Sequence, residues 1–321
     1  MISLQLEKIG SLKLKKKPVP EANPGEILLK VSHCALCRTD AKMWERGQRD
    51  LVLPRILGHE ICGFSETSGK RFVVWPGKAC GYCKQCKAGA ENLCREMQIM
   101  GFHKDGGLAE YAAVPESSLI PIPDDLPGDI ASLAEPLACT INAIQQAKVK
   151  TEDRVLIFGA GPVGLLMGLA VHTQEAYPFI RDINPDRFIQ SEKFCNKIGI
   201  QCDSEQSESG FDAVINAASS TDTFLNGIPE LNDAGCFCLF SGLTDNNPIP
   251  ASLINEIHYR QLTITGAYGC TGLQMEKAVK ILSDNKNKVK LLIEAHIRLE
   301  NVSPVLPGIA AGQALKYIVE F

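Results

Sequence analysis

Four cysteines, Cys80, Cys83, Cys86 and Cys94, stand within fifteen positions of this 321-residue chain. Two-residue gaps let neighbouring sulfurs turn toward one point about 2.3 Å from a zinc ion. Four thiolates close the shell, so an ion held there is structural. The spacing alone also admits an iron–sulfur cluster or four unligated thiols. A DNA-reading zinc finger does not fit, because the segment has neither histidine ligands nor a basic helix. A second set is more dispersed: Cys37-Arg38-Thr39-Asp40, Gly58-His59-Glu60 and Glu135-Pro136. A soft sulfur, an imidazole and carboxylates suit zinc with an open position. Taken singly, each of these residues is more often core than ligand. A third feature is Gly159-Ala160-Gly161-Pro162-Val163-Gly164. Gly159 permits a tight turn, Gly161 lets a pyrophosphate approach the backbone, and Gly164 allows close packing of helix on strand. Asp182 follows 18 residues after Gly164, where a carboxylate accepts hydrogen bonds from ribose hydroxyls and repels a 2′-phosphate. NAD is therefore expected over NADP, with Arg181 and Arg187 each able to offset part of that charge.

These residues need elements to hold them. The first third reads as β-rich, with apolar runs at 27–31, 72–75 and 111–114 punctuated by Gly and Pro. Cys37 is expected at the end of a strand. Lys13, Lys15, Lys16 and Lys17 read as the solvated face of an edge strand. The pattern changes near residue 136, where 136–148 has helical spacing. VLIF (155–158), the glycine turn and LLMGLAVH (165–172) then give strand–turn–helix. A further strand is expected at 177–180, a weak helix at 193–200, and a polar loop at 203–210. Buried strands are expected at 211–217, 236–242 and 262–268, separated by helix-length stretches. Strands alternating with helices imply a parallel sheet with crossover helices, an α/β architecture.

Composition narrows the class. Hydrophobic residues make up 45% and charged residues 22%, with a net charge of −4, so a wholly disordered chain is excluded and no basic excess favours nucleic acid or an anionic membrane. The length favours two domains. No run of 18 apolar residues exists, and the first residues lack a signal-peptide plan, so a cytoplasmic protein is expected. In a reducing compartment clustered cysteines are metal ligands or catalytic groups rather than disulfides. Cys34 and Cys37 form a CxxC, with Cys37 read as ligand and Cys34 as filler.

Taken together, the segments LKKKPVPEANPGEILLKV, CALCRTD, GHE, CGYCKQCKAGAENLC, GGLAEYAAVP, EPLACT, GAGPVG and ITGAYG are similar, in order and spacing, to the zinc-dependent medium-chain dehydrogenases. The resemblance runs essentially end to end and is closest to the sorbitol (polyol) and threonine dehydrogenase branch. It implies a GroES-like, β-rich catalytic domain from residues 1–136 and 270–321, with a zinc lobe at 80–94, and a Rossmann domain at 137–269. It implies Cys37, His59 and Glu60 as catalytic zinc ligands, Glu135 as a carboxylate at the metal, and Thr39 as the hydroxyl that contacts substrate. Cys80, Cys83, Cys86 and Cys94 match the structural zinc site. Gly159, Gly161, Pro162, Val163, Gly164, Asp182 and Arg187 fall in the nucleotide site. The implied cofactors are two zinc ions and NAD. The implied reaction is reversible oxidation of a secondary alcohol, polyol-like or a hydroxy amino acid, to a ketone. Zinc suits it because it stabilises an alkoxide, just as it lowers the pKa of bound water from 15.7 to about 7. A homodimer or homotetramer is expected.

Three departures bear on substrate. Arg38 replaces a glycine, Lys42 stands where many relatives have a relay histidine, and the segment between Gly63 and Arg71 is short. Two other functions compete: a metal-free quinone or enone reductase of the same superfamily, and a non-catalytic zinc- or nucleotide-binding scaffold.

Overall fold

A computed structural model describes residues 1–202 and 208–321. Of the polar loop expected at 203–210, residues 203–207 lie outside the described residues. The chain divides into two compact units, Met1–Ala138 with Cys270–Phe321, and Cys139–Gly269.

The first unit is β-rich. Its largest sheet runs in the order Leu119–Pro121, Arg71–Val74, Glu60–Ser65, Glu26–Ala35, Lys316–Glu320, Ile293–Ile297, and Tyr111–Pro115 also pairs with the long strand Glu26–Ala35. Period-two burial along Leu29, Val31 and Ile61 feeds a core with Leu4, Leu6, Met43, Leu57, Val74, Leu108 and Val114. Register decides what meets at the end of this sheet. Ala35 lies opposite Glu60 on one side and opposite Ile318 on the other, both antiparallel. Cys37, just past Ala35, His59, just before Glu60, and Lys316, two before Ile318, therefore gather at one edge.

Sequence reading left one element out. Cys37 does not merely end a strand; it is the N-cap of a helix, Arg38–Arg46. Asp40 stands in its first turn and Arg46 in its last, each on the side that complements the helix dipole. Ala41 and Met43 are buried, and Gly47 at φ 79° ends the helix. The lysine-rich segment forms the strand Ser11–Lys16 at the edge of a three-stranded sheet, with Lys13 and Lys15 paired to Glu7.

The second unit holds a six-stranded parallel sheet, ordered Gln201–Cys202, Tyr177–Arg181, Arg154–Phe158, Phe211–Asn216, Leu231–Leu239, Thr263–Gly266. By position within the unit that order is 3-2-1-4-5-6, the doubly wound arrangement, whose ligand crevice opens where the order reverses. The first strand is buried at Val155, Leu156 and Ile157, as a strand covered on both faces must be. The expected weak helix is longer than read, Pro185–Ile198, because Asn184 caps it through Asp186 N and Gly199 closes it in the left-handed region. The strand expected to be buried near 262–268 is instead Thr263–Gly266 and largely exposed. Its apolar run sits at the sheet's outer edge, where only one neighbour covers it.

Candidate active site

Cys80, Cys83, Cys86 and Cys94 offer sulfurs that all lie within 4.8 Å of one another. The individual separations are 3.4 Å for Cys83 to Cys86, 3.9 Å for Cys80 to Cys86 and 4.0 Å for Cys83 to Cys94. Ligands at tetrahedral corners about 2.3 Å from zinc sit about 3.8 Å apart. A disulfide needs about 2.05 Å, and every cysteine of the chain is a free thiol. Hydrogen bonding by the Cys86 backbone lowers the Cys83 thiol to about 7. The lobe fits a tetrahedral zinc ion.

The second group brings Cys37, His59 and Glu60 together, again within 4.8 Å. His59 is 5% exposed and packs edge-on against Phe102 at 5.3 Å between ring centres. Its Nδ1 makes no hydrogen bond of normal length, but Asp40 Oδ1 stands 3.4 Å away. The Cys37 side chain interacts with the same imidazole. Burial opposes charge on His59, yet the Asp40 carboxylate and the Cys37 sulfur outweigh it and hold the imidazole well above its ordinary value. Asp40 itself has no exposed surface. Its Oδ2 accepts from Cys37 N at 2.9 Å and its Oδ1 from Gly58 N at 3.1 Å. One carboxylate thus fixes the backbone on both sides of the group and orients the imidazole, the supporting role that outer carboxylates take around metal-binding histidines. Sequence reading passed over Asp40. The signal was an acid three residues after Cys37, at the N3 position of a helix that had not been recognised.

Glu60 is within the group, but its oxygens are engaged. Lys316 Nζ contacts Glu60 Oε1 at 2.5 Å and donates to Leu36 O at 3.2 Å, and both charged side chains are buried. Burial pushes the Glu60 carboxyl up, Lys316 opposes this, and the negative charge of Glu135 adds to it. Lys316 has no motif of its own and lies 256 positions from Glu60, so only the register of the last strand reveals it. Glu135 stands in the first turn of the helix Ala134–Gln146, electrically coupled to Glu60 and Lys316 but outside the three-residue group. Thr39 is in the first turn after Cys37, and Arg38 donates through Nε to Ala310 O at 3.1 Å. Lys42, one turn on, is half-buried; burial first, then the positive charges of Arg38 and Arg46, lower its ammonium. The soft sulfur, imidazole and carboxylate suit a zinc ion with exchangeable positions.

In the second unit the glycine turn joins the strand Arg154–Phe158 to the helix Pro162–His172, which opens with proline at its first position. A Cβ on Gly164 would collide with Gly159 O, so only glycine lets the helix start there. A Cβ on Gly161 would stand 2.8 Å from Arg187 Nη1, filling the cradle in front of the helix N-terminus. Asp182 Oδ2 accepts from Ala160 N at 2.7 Å, its Oδ1 from Asn184 N at 2.8 Å, and Arg187 Nη1 lies 3.7 Å from Oδ2. A cleft of about 340 Å³ opens here, lined by Gly159, Asp182, Ile183, Ser220, Thr223 and Asn226 among others. Ile183 is fully exposed on its rim. Its shape and donors fit a dinucleotide.

One unit carries a thiolate–imidazole–carboxylate group and the other a doubly wound sheet with a nucleotide cradle, the two parts that a metal-assisted, nucleotide-dependent oxidoreductase uses. Residues 23–124 match the Alcohol dehydrogenase GroES-like domain. An uncharacterised zinc-type alcohol dehydrogenase-like protein of Haemophilus influenzae is 29% identical, over 92% of this chain and 91% of its own length. The L-threonine 3-dehydrogenase of Chromobacterium violaceum is 26% identical, over 99% of this chain and 98% of its own. Among solved structures, a protein of Sinorhizobium meliloti described as a zinc-binding dehydrogenase bound to NADP superposes with a TM-score of 0.89 at 25% identity, covering 100% of this chain and 99% of that one. Over almost its whole length the chain is thus similar to zinc-type alcohol dehydrogenases, and residues 23–124 carry their GroES-like domain. It is an enzyme of the alcohol-dehydrogenase type, and no helix among its described residues is long and apolar enough to cross a membrane.

Proposed function

We propose that this enzyme moves a hydride between a small secondary alcohol and NAD(H), with NAD preferred to NADP, and that it holds one catalytic and one structural zinc. The observation that carries the reading is the convergence of Cys37 and His59 at one end of a rigid sheet, backed by the buried Asp40 carboxylate. When bound, zinc supplies Lewis acidity toward the alcohol oxygen and the nicotinamide accepts or returns the hydride. The chain's own groups do the rest. Cys37 and His59 would hold the metal, while Glu60 and Glu135 contribute negative charge and oxygen donors beside it. Lys316, by gripping Glu60, limits how much of that charge reaches the site. Thr39 would take the hydroxyl proton and pass it outward. Lys42, with its ammonium lowered, is a fitting end for that relay. Cys80, Cys83, Cys86 and Cys94 would hold the second zinc.

A polyol or a hydroxy amino acid is the substrate class, in keeping with the threonine dehydrogenase relative. Thirteen free thiols support a cytoplasmic protein. The exposed edge strand Thr263–Gly266, with Ile264 on it and Ile254 and Tyr259 on the adjoining helix, supports a homo-oligomer built by pairing that edge. The cofactor assignment is tested with Asp182→Ala, by comparing kcat/KM for NAD and NADP in both proteins. The preference should fall by about tenfold or more, and an unchanged ratio would remove Asp182 from the ribose site.

A further inference from the structure

The first unit holds a cavity that the sites described above do not use. It has a volume of about 200 Å³, is lined by residues of that unit alone, and shares no lining residue with the metal group or the nucleotide cleft. Its apolar floor is fixed in place. Ile56 and Met100 are buried, Gly106 N donates to Ile56 O at 2.8 Å, and Met100 N donates to Pro76 O at 2.9 Å. Ala113, on the strand Tyr111–Pro115, lines another wall. Pockets for drug-sized molecules run to about 300–1,000 Å³, so the occupant of this one is smaller.

Charge decides which small molecules fit. Glu26, Asp105, Lys78 and Lys104 also line the cavity. Both acids are engaged. Glu26 Oε2 accepts from Asn23 N at 3.1 Å and from Asn23 Nδ2 at 2.8 Å. Asp105 Oδ1 accepts from Ile56 N at 3.1 Å and from Arg55 Nη1 at 2.9 Å, while Lys17 Nζ lies 3.5 Å from its Oδ2. The two lysines are not engaged: among the described residues neither ammonium has a hydrogen bond or an ion pair. The Asn23 side chain, opposed by burial, lowers the Glu26 carboxyl, and the positive charges of Lys78 and Lys104 lower it further. Both ammonium groups are therefore within electrostatic reach of the same carboxylate in the cavity wall. With Asp105 offset by Arg55 and Lys17, two cations against Glu26 leave the wall one positive charge in excess. A neutral molecule would leave that charge unanswered, and a dianion would add repulsion from Glu26. We propose that this cavity is a binding site for a small organic monoanion, a carboxylate with a short apolar body, whose charge pairs with Lys78 and Lys104 and whose body lies against Ile56 and Met100.

The test is a methyl NMR titration of the zinc-loaded full chain with benzoate, following the Ile56 and Met100 signals, and it does not depend on turnover. Benzoate should shift both signals with a Kd of about 1 mM. Benzyl alcohol has the body without the charge, and inorganic phosphate has the charge without the body. Each should bind roughly tenfold more weakly than benzoate. In the double variant Lys78→Gln, Lys104→Gln, both exposed positions, benzoate affinity should fall about tenfold or more. In Ala113→Phe, whose ring takes up the space, the benzoate-induced shifts should vanish. If Ala113→Phe does not fold, the double lysine variant decides the matter on its own. No shift at Ile56 or Met100 up to about 10 mM benzoate overturns the proposal. So does an affinity unchanged in the double variant, benzyl alcohol binding as tightly as benzoate, or shifts confined to signals elsewhere, as benzoate on the metal group would give.

Discussion

Replacing Asp40 with asparagine tests how the candidate metal group is held. The aspartate has no exposed surface and serves three neighbours at once: Cys37 N at 2.9 Å through Oδ2, Gly58 N at 3.1 Å and His59 Nδ1 at 3.4 Å, both through Oδ1. Asparagine keeps the shape but has one acceptor oxygen. Whichever way its amide turns, an NH2 faces at least one buried N–H. An unmet buried donor costs about 1–3 kcal/mol. The loss falls directly on the backbone beside Cys37 or on the segment carrying His59. The imidazole also loses the charge that orients it, and removal of such a supporting carboxylate weakens metal binding by about 10–100-fold. Asp40→Asn should therefore lower the affinity of one zinc by that factor in a competition titration with a chromophoric chelator, and leave the zinc of the four-cysteine lobe unchanged. If both zinc affinities stayed within twofold of the parent, the assigned role of Asp40 would be wrong.

The raised imidazole of His59 sets a pH dependence in protein stripped of metal. A folded value above the ordinary one means the contribution is complete below pH about 6.5 and is lost as pH rises through the folded value. Thermal melts of chelator-treated protein should fall over that alkaline window, and Asp40→Asn should flatten the fall; parallel curves for the two proteins would argue against the pairing. The glycine turn makes a second, paired prediction. Gly164→Ala sets a methyl against Gly159 O, a backbone atom that cannot move aside, and should cost about 3 kcal/mol by urea unfolding. Gly161→Ala meets only the far end of the Arg187 side chain, so it should unfold within about 1 kcal/mol of the parent while binding 5′-ADP much more weakly. Equal losses of stability in the two variants would contradict this assignment of the glycines.

The sequence made local chemistry legible and left long-range pairing hidden. The glycine turn was readable because strand, turn and helix follow one another without a break, and Asp182 lies one strand further on. The four-cysteine lobe was readable because its sulfurs are separated by few residues. Cys37 and His59 were legible as types, but their meeting depends on Ala35 lying opposite Glu60, which no local pattern states. The helix Arg38–Arg46 was missed because only Ala41, Met43 and the buried Asp40 mark its inner face, too short a run for a clear period. Lys316 went unassigned, and Arg181 was read only as a charge next to Asp182, for a shared reason. Charged residues on strands read as solvated, and their burial becomes visible only when Glu60 and Glu230 are seen to meet them. Thr263–Gly266 misled in the other direction, since an apolar run looks the same in a central strand and at an exposed edge.

The most direct test of the central claim is graded metal removal with activity followed throughout. Purified enzyme is dialysed against a mild chelator until one of two zinc ions is lost, and NAD reduction is followed with a panel of secondary alcohols before and after zinc is restored. The account predicts that activity disappears with the first zinc, returns with its replacement, and never returns in Cys37→Ser. Full activity in zinc-free protein, above all toward quinones or enones, would contradict it and point to the metal-free reductase chemistry instead.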